Sequence, residues 1–513
     1  MTRRLGAASI AATAVLLTGL LGPASAQGRG DLIVFFEIAP TQGGEKADVD
    51  IDMQRVTPGG KLLWGQDGDP VALASSDDIE SLPAACDDGA GGAIVAYVYE
   101  FMQGEHQGDA DIVAQRIDQN GKLLWHDGQS PVQVAGSKHR ESHPVVVSDG
   151  QGGAIVVYEW TGDKGGKVDT DLLVQRIDGS GKRLWNDGEK PTVVASSDGK
   201  ERAPAVVPDG EGGVIVVFEW EGADNDLDIM AQRISADGKE LWNEGKQATD
   251  VASSDALERH PVAVPDGRGG AIAVFELEYT NGERKGDVDI HAQRISADGV
   301  LLWNGGEKPA ELSTATAVER NPSAIPDGAG GVIAAFELES VEGEDAGDTG
   351  IFAQRLDSNG KWLWNNGKRS AHVSRGAALE RAVKIVPAAD GGALCVFEAE
   401  YRTGEHAGDI DILAQRLSPA GEWLWNEGKR SSTVAASKWL ERSPLVVADG
   451  EGGAIVIYAA TGPPGDHEGD VDLEAMRLSA EGEMMWNEGK QAVDIAAGKG
   501  LERNPCVVVV GER

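Results

Sequence analysis

The stretch from Glu201 to Gly245 decides the fold. It opens Glu201-Arg202-Ala203-Pro204-Ala205-Val206-Val207 and turns at Asp209-Gly210-Glu211-Gly212-Gly213. A Gly-rich turn between two apolar runs joins two strands. Val214-Ile215-Val216-Val217-Phe218-Glu219 reads as the second strand, apolar at nearly every residue and so buried on both faces. A polar loop leads to a third strand, Asp226-Leu227-Asp228-Ile229-Met230-Ala231-Gln232-Arg233-Ile234. Ser235-Ala236-Asp237-Gly238 turns the chain again, and Lys239-Glu240-Leu241-Trp242 starts a fourth strand. No segment around it has the period of a helix.

Outward from this stretch, the same unit recurs. Trp64, Trp125, Trp185, Trp242, Trp303, Trp364, Trp425 and Trp486 are spaced 61, 60, 57, 61, 61, 61 and 61 residues apart, each with Gly four residues before it. A fixed period of this size marks a repeat architecture. It replaces the several domains that 513 residues would suggest with one closed or stacked object. The chain ends sharpen the expectation. Leu32-Ile33-Val34-Phe35-Phe36-Glu37 is a second strand with no first strand before it. Glu502-Arg503-Asn504-Pro505-Cys506-Val507-Val508-Val509-Val510 is a first strand with no second after it. The two fragments complete one another and remove an exposed sheet edge. The expected fold is therefore all-β: a single eight-bladed β-propeller over residues 27–513, with four antiparallel strands per blade. Its N- and C-terminal strands share one blade.

Residues 1–26 read as a signal peptide: Arg3 and Arg4, an apolar run from Leu5 to Leu21, and Ala24-x-Ala26 before Gln27. No cysteine stands at that junction, which argues against a lipid anchor. The expected localisation is secreted or periplasmic. With 84 Asp+Glu against 46 Lys+Arg, the net charge of −38 excludes nucleic acid and anionic membrane as main partners. No later apolar run is long enough to span a bilayer. Three cysteines exclude a disulfide-dense scaffold. Cys86, Cys395 and Cys506 read as buried thiols, with a Cys86–Cys506 bridge as the alternative.

Ala114-Gln115-Arg116-Ile117-Asp118-Gln119-Asn120-Gly121-Lys122-Leu123-Leu124-Trp125 resembles the tryptophan-docking repeat of quinoprotein-type propellers. Ser235-x-Asp237…Trp242 resembles the Asp-box of sialidase-like propellers, with its Gly displaced by one. The Asp-Ile-x-Ala-Gln-Arg…Gly…Leu-Trp unit also resembles repeats in exported bacterial proteins of unknown function. All three resemblances imply a propeller. The first implies an adjacent Cys-Cys pair in its dehydrogenases, which this chain lacks. The second implies an arginine cluster with a Tyr-Glu nucleophile pair. Here the arginines fall one per repeat instead: Arg55, Arg116, Arg176, Arg233, Arg294, Arg355, Arg416 and Arg477. Residues present in every copy read as structural, because catalysis needs asymmetry. Each Arg is expected to pair with a turn Asp such as Asp149, Asp209, Asp266, Asp327 or Asp449, or to cap carbonyls. Each repeat Trp is expected to wedge between blades.

The acids converge on one rim. In a meander, the start of strand one, the end of strand two and the start of strand three lie together. Glu80, Glu141, Glu201, Glu258, Glu319, Glu380, Glu441 and Glu502 precede first strands, and Glu37, Glu159, Glu219, Glu276, Glu337 and Glu398 end second strands. Third strands open with Asp48/Asp50, Asp109/Asp111, Asp169/Asp171, Asp226/Asp228, Asp287/Asp289, Asp409/Asp411 and Asp470/Asp472; Asp348-Thr349-Gly350 breaks the pattern. Two readings stand: a solvated rim, and calcium held by the paired Asp carboxylates. Trp160 and Trp220 lie at this rim, either packed or free to stack on a sugar.

The function expected from the sequence is a monomeric, non-catalytic binding or scaffold module. It would work through its acidic rim on a protein or glycan partner, with Ca2+ as the one cofactor considered. Two alternatives stand beside it: a carbohydrate-active or quinone-dependent enzyme, and a surface or matrix adhesion component.

Overall fold

The computed structural model describes residues 30–511 apart from 41–47, 223–224, 314, 342–346, 375–377, 438, 463–468 and 499. The expected leader lies outside the described residues. Those described are all-β, with 32 strands and seven short 3-10 turns. No helix among them is long and apolar enough to cross a membrane.

The stretch that opened the sequence forms Lys200–Pro208, Val214–Glu221, Leu227–Ile234 and Thr249–Ala252, paired in that order. Strands two and three run in register from Val214↔Ile234 to Glu221↔Leu227. The pairing of strands one and two breaks between Arg202 and Ala205. The break is a bulge at Ala203, whose φ is +51°. Leu82, His143, His260, Asn321, Ala382, Ser443 and Asn504 repeat it with φ of 48–54°.

Left-handed backbone at a residue with a side chain is strained and needs support. Six of these bulges receive it from the preceding unit. The Glu ending that unit's second strand accepts the bulge N–H: Glu37 from Leu82 at 2.8 Å, Glu159 from Ala203 at 2.9 Å, and Glu219 from His260 at 2.7 Å. Glu276, Glu337 and Glu398 do the same for Asn321, Ala382 and Ser443. Those six glutamates are thus clamps between units rather than open rim groups.

The fourth strand departs from expectation. Of the segment Lys239-Glu240-Leu241-Trp242, only Glu240 bridges back, to Ile234. The Gln232 side chain accepts the Trp242 N–H at 3.1 Å, and Asn243 and Glu244 turn the chain with positive φ. The strand forms only at Thr249–Ala252. A side chain substitutes for the ladder here, which strand propensity does not register.

Cores form between consecutive sheets. Trp185 packs with Val145 and Val147 of its own unit and with Val206, Val214 and Phe218 of the next. Its indole N–H reaches the Ala236 carbonyl of that next unit at 3.0 Å. Gly238 lies flat on the ring: a Cβ there would meet the indole at 2.6 Å. The Gly four residues before each Trp is therefore the seat for the preceding Trp.

Every repeat Arg bonds an Asp: Arg55–Asp31, Arg116–Asp88, Arg176–Asp149, Arg233–Asp209, Arg294–Asp266, Arg355–Asp327, Arg416–Asp390 and Arg477–Asp449, at 2.8–3.2 Å. The same guanidinium also reaches into the next unit, as Arg233 does to Ala297 O at 3.0 Å. The terminal strands pair from Asp31↔Val510 to Ala39↔Leu501. Trp486 and Arg477 both donate to Pro58 O, joining the last unit to the first. The three cysteines are free thiols, so the Cys86–Cys506 bridge is not formed.

Candidate functional site

The acids that open first and third strands meet at the junctions between units, and burial is what distinguishes them. All eight first-strand glutamates are buried, none more than 4% exposed. The solvated-rim reading is corrected for them: each is buried. A serine four residues upstream donates to one carboxylate oxygen in Glu80, Glu141, Glu201, Glu258 and Glu441, and Ser313 does so for Glu319 at 2.7 Å. The other oxygen has no protein partner in Glu80, Glu141, Glu201, Glu258, Glu319, Glu441 and Glu502.

Loss of water around these carboxyls, reinforced by the neighbouring Asp pair, disfavours their charged form. Burial raises Glu80, Glu141, Glu201, Glu258, Glu441 and Glu502 to about 7, and Glu319 to about 8. Between the ordinary Glu value near 4.5 and about 7, the folded protein therefore binds more protons than the unfolded chain. Its stability must fall as pH rises through that window. His143 and His260, raised by Glu159 and Glu276, act in the same direction. In EDTA the melting temperature should be higher at about pH 5 than at about pH 8. A melt that rises over this range would contradict the buried, partly protonated state.

The third-strand pairs are less uniform. Asp111, Asp169, Asp171, Asp228, Asp287, Asp289 and Asp470 are buried. Asp50, Asp109, Asp226, Asp409, Asp411 and Asp472 are half-buried, and Asp48 is exposed. Two pairs carry their own cation. Lys164 Nζ lies 3.0 Å from Asp169 and 2.6 Å from Asp171. Arg284 reaches Asp287 at 3.0 Å and Asp289 at 2.7 Å. Among the described residues, no three His, Cys, Asp or Glu side chains are already gathered as a metal-ligand set. Trp160 and Trp220 are half-buried, and their indoles donate to Ser137 and Ser197 beside Glu141 and Glu201.

One junction differs from the rest. Arg284 donates to the Tyr279 hydroxyl at 2.9 Å and lies over its ring at 4.2 Å. Tyr279 donates in turn to Asp289 at 3.3 Å. His291, two residues beyond Asp289 on the same side of the strand, brings Nε2 within 3.8 Å of it. His291 is buried, yet neither ring nitrogen makes a hydrogen bond. Glu319 of the next unit faces Asp287 and Asp289. Contacts with Arg284 and His291 hold Asp289 below its ordinary value although burial opposes this, while burial holds Glu319 above its own.

Tyr279, Arg284 and His291 were not singled out from the sequence. The signal available was His291, in a position that five other units fill with Val113, Leu173, Met230, Phe352 and Leu413 and two with Asp52 and Glu474.

No protein-family model matches the sequence, and no curated protein matches it. The fold is similar to that of an ulvan lyase of polysaccharide lyase family PL25, with a TM-score of 0.43 and 12% identity, covering 80% of this chain and 96% of that one. It is similar to the polysaccharide lyase Uly1, with a TM-score of 0.42 and 8% identity over 75% of this chain and 88% of that one. An endo-arabinase from Bacteroides thetaiotaomicron has a TM-score of 0.29 and 16% identity, over 55% of this chain and 95% of that one. The expected non-catalytic binding or scaffold module is corrected here. The similar structures are those of catalysts.

Proposed function

We propose that this protein is an exported eight-bladed β-propeller that cleaves a polysaccharide at the junction of Asp289 and Glu319. The pairing of the terminal strands and the Trp486–Pro58 contact support closure into a ring. The basic start and apolar run of residues 1–26 support export.

The observation that carries the catalytic reading is the asymmetry of this one junction. Two carboxyls whose environments push them apart are the acid and base of glycoside cleavage. Glu319 stays protonated at neutral pH and gives its proton to the departing glycosidic oxygen. Asp289 stays ionised and takes a proton from the water that adds to the sugar carbon. His291 beside Asp289 favours its charge, and Tyr279 orients it.

Arg284, 38% exposed at its side chain, pairs with Asp287 and Asp289. An acidic sugar would draw the guanidinium away and open the site, so the substrate expected is an anionic polysaccharide. Reducing-end release from anionic and neutral polysaccharides tests the reading. Glu319→Gln should lose activity by about 100-fold or more, whereas Glu201→Gln, at the same place in another unit, should keep it. Equal activity of wild type and Glu319→Gln, or no cleavage of any anionic polysaccharide, would overturn the assignment.

A further inference from the structure

The pairs at Asp109/Asp111 and Asp226/Asp228 pose a problem that two other units have solved internally. Asp111 and Asp228 are buried, and Oδ1 of each has no protein partner. Across the junction, Oε2 of Glu141 and of Glu258 is likewise buried without a partner. The charged groups acting on Asp228 are Asp226 and Asp250; those acting on Glu258 are Asp228 and Asp226. All are acids. Unpaired carboxylates facing one another away from water are costly.

In the unit between these two, Lys164 from the loop joining strands two and three brings Nζ to both Asp169 and Asp171. In the following unit, Arg284 from the same loop reaches Asp287 and Asp289. Neither Asp171 nor Asp289 is left with an unpartnered oxygen. The corresponding loop before Asp226 is Gly222-Ala223-Asp224-Asn225, which contains no basic residue. The loop before Asp109 offers only His106, 3.9 Å from Asp109 and mostly exposed. The Glu oxygen across the junction is unpartnered in all four units, but the Asp pair meets a side-chain cation in two of them and keeps a bare Asp oxygen in the other two.

We infer that the junctions Asp226/Asp228/Glu258 and Asp109/Asp111/Glu141 each bind a calcium-type divalent cation, doing there what Lys164 and Arg284 do in their own units. The donors are all hard oxygens, and calcium accepts six to eight of them in irregular arrangements, completed by carbonyls and water. Magnesium, which demands near-octahedral geometry and sheds water reluctantly, fits less well. The carboxylates must close around the ion by side-chain rotation.

The test is calorimetric titration of the full chain with calcium chloride after EDTA dialysis, alongside thermal melts. Wild type should bind calcium and melt at a higher temperature in millimolar calcium. Asp228→Asn should lose one equivalent of binding. Lys164→Ala, which frees Asp169, Asp171 and Glu201, should gain one. No binding heat and an unchanged melt would overturn the inference. So would a stoichiometry indifferent to both substitutions. Neither variant touches Glu319 or Asp289, so loss of this site and loss of polysaccharide cleavage are separate outcomes.

Discussion

Deleting residues 502–513 is expected to abolish cooperative unfolding. The loss extends far beyond a frayed end. Strand Leu501–Val510 is the first strand of the unit whose other three strands lie at the start of the chain. Its removal strips the partner from Asp31–Ala39, whose Ile33, Phe35 and Phe36 are fully buried. It also takes away Arg503, which pairs with Glu37 at 2.8 Å, and the packing of Val507, Val508 and Val510. The unit left behind would present a long apolar edge to solvent. Scanning calorimetry should show the parent's sharp transition replaced by a broad, low-enthalpy one. Deleting only 511–513 should change nothing. A 502–513 deletion that melts like the parent would refute the closing role of this strand.

Trp303→Ala should destabilise the protein by ~3–5 kcal/mol, by the precedent of large-to-small core substitutions. Trp303 is 1% exposed. It packs with Ile272, Val274 and Ile290 in its own unit and with Ala324, Val332 and Phe336 in the next. Its ring N–H donates to Ser358 O at 3.0 Å and its backbone N–H to Gln293 at 3.0 Å. Gly360 rests on the ring face, so truncation leaves a void that a backbone without a side chain cannot fill. Trp303→Phe should recover most of the packing but not the Ser358 bond, a difference of ~1 kcal/mol. Urea denaturation measures both. A cost under ~1 kcal/mol for the alanine variant would mean that the ring is not the wedge between units.

The tryptophan period carried the four-strand repeat, because an interval near 61 residues survives any error in strand boundaries. Strand identities were also legible wherever an apolar run met a Gly turn, as at Val214. What the sequence hid were features that depend on a second unit. Glu219 reads as a polar strand end, yet its carboxylate is committed to the His260 backbone. Glu258 reads as a surface acid, yet it is buried beside the Asp226/Asp228 pair of the preceding unit. The segment before Trp242 reads as a strand because Gln232, which replaces its ladder, is ten residues away. The candidate site was hidden for another reason. What one unit has alone does not belong to the pattern that all units share. His291 and Arg284 are visible only as departures from the repeat.

The inter-unit bonds also fix the order of assembly. Most of them span a nearly constant chain distance: Trp64 to Gln119 covers 55 residues, and Trp303 to Ser358 covers 55. Trp486 to Pro58 covers 428. Loop-closure entropy grows with the logarithm of length, so this last contact costs ~2 kcal/mol more to form than its counterparts if the intervening chain is loose. Once the intervening units have docked, that penalty has already been met by short steps. Folding should therefore propagate between neighbours and finish with the seam, and the slowest refolding phase should be the one reported by a probe placed across Pro58 and Trp486.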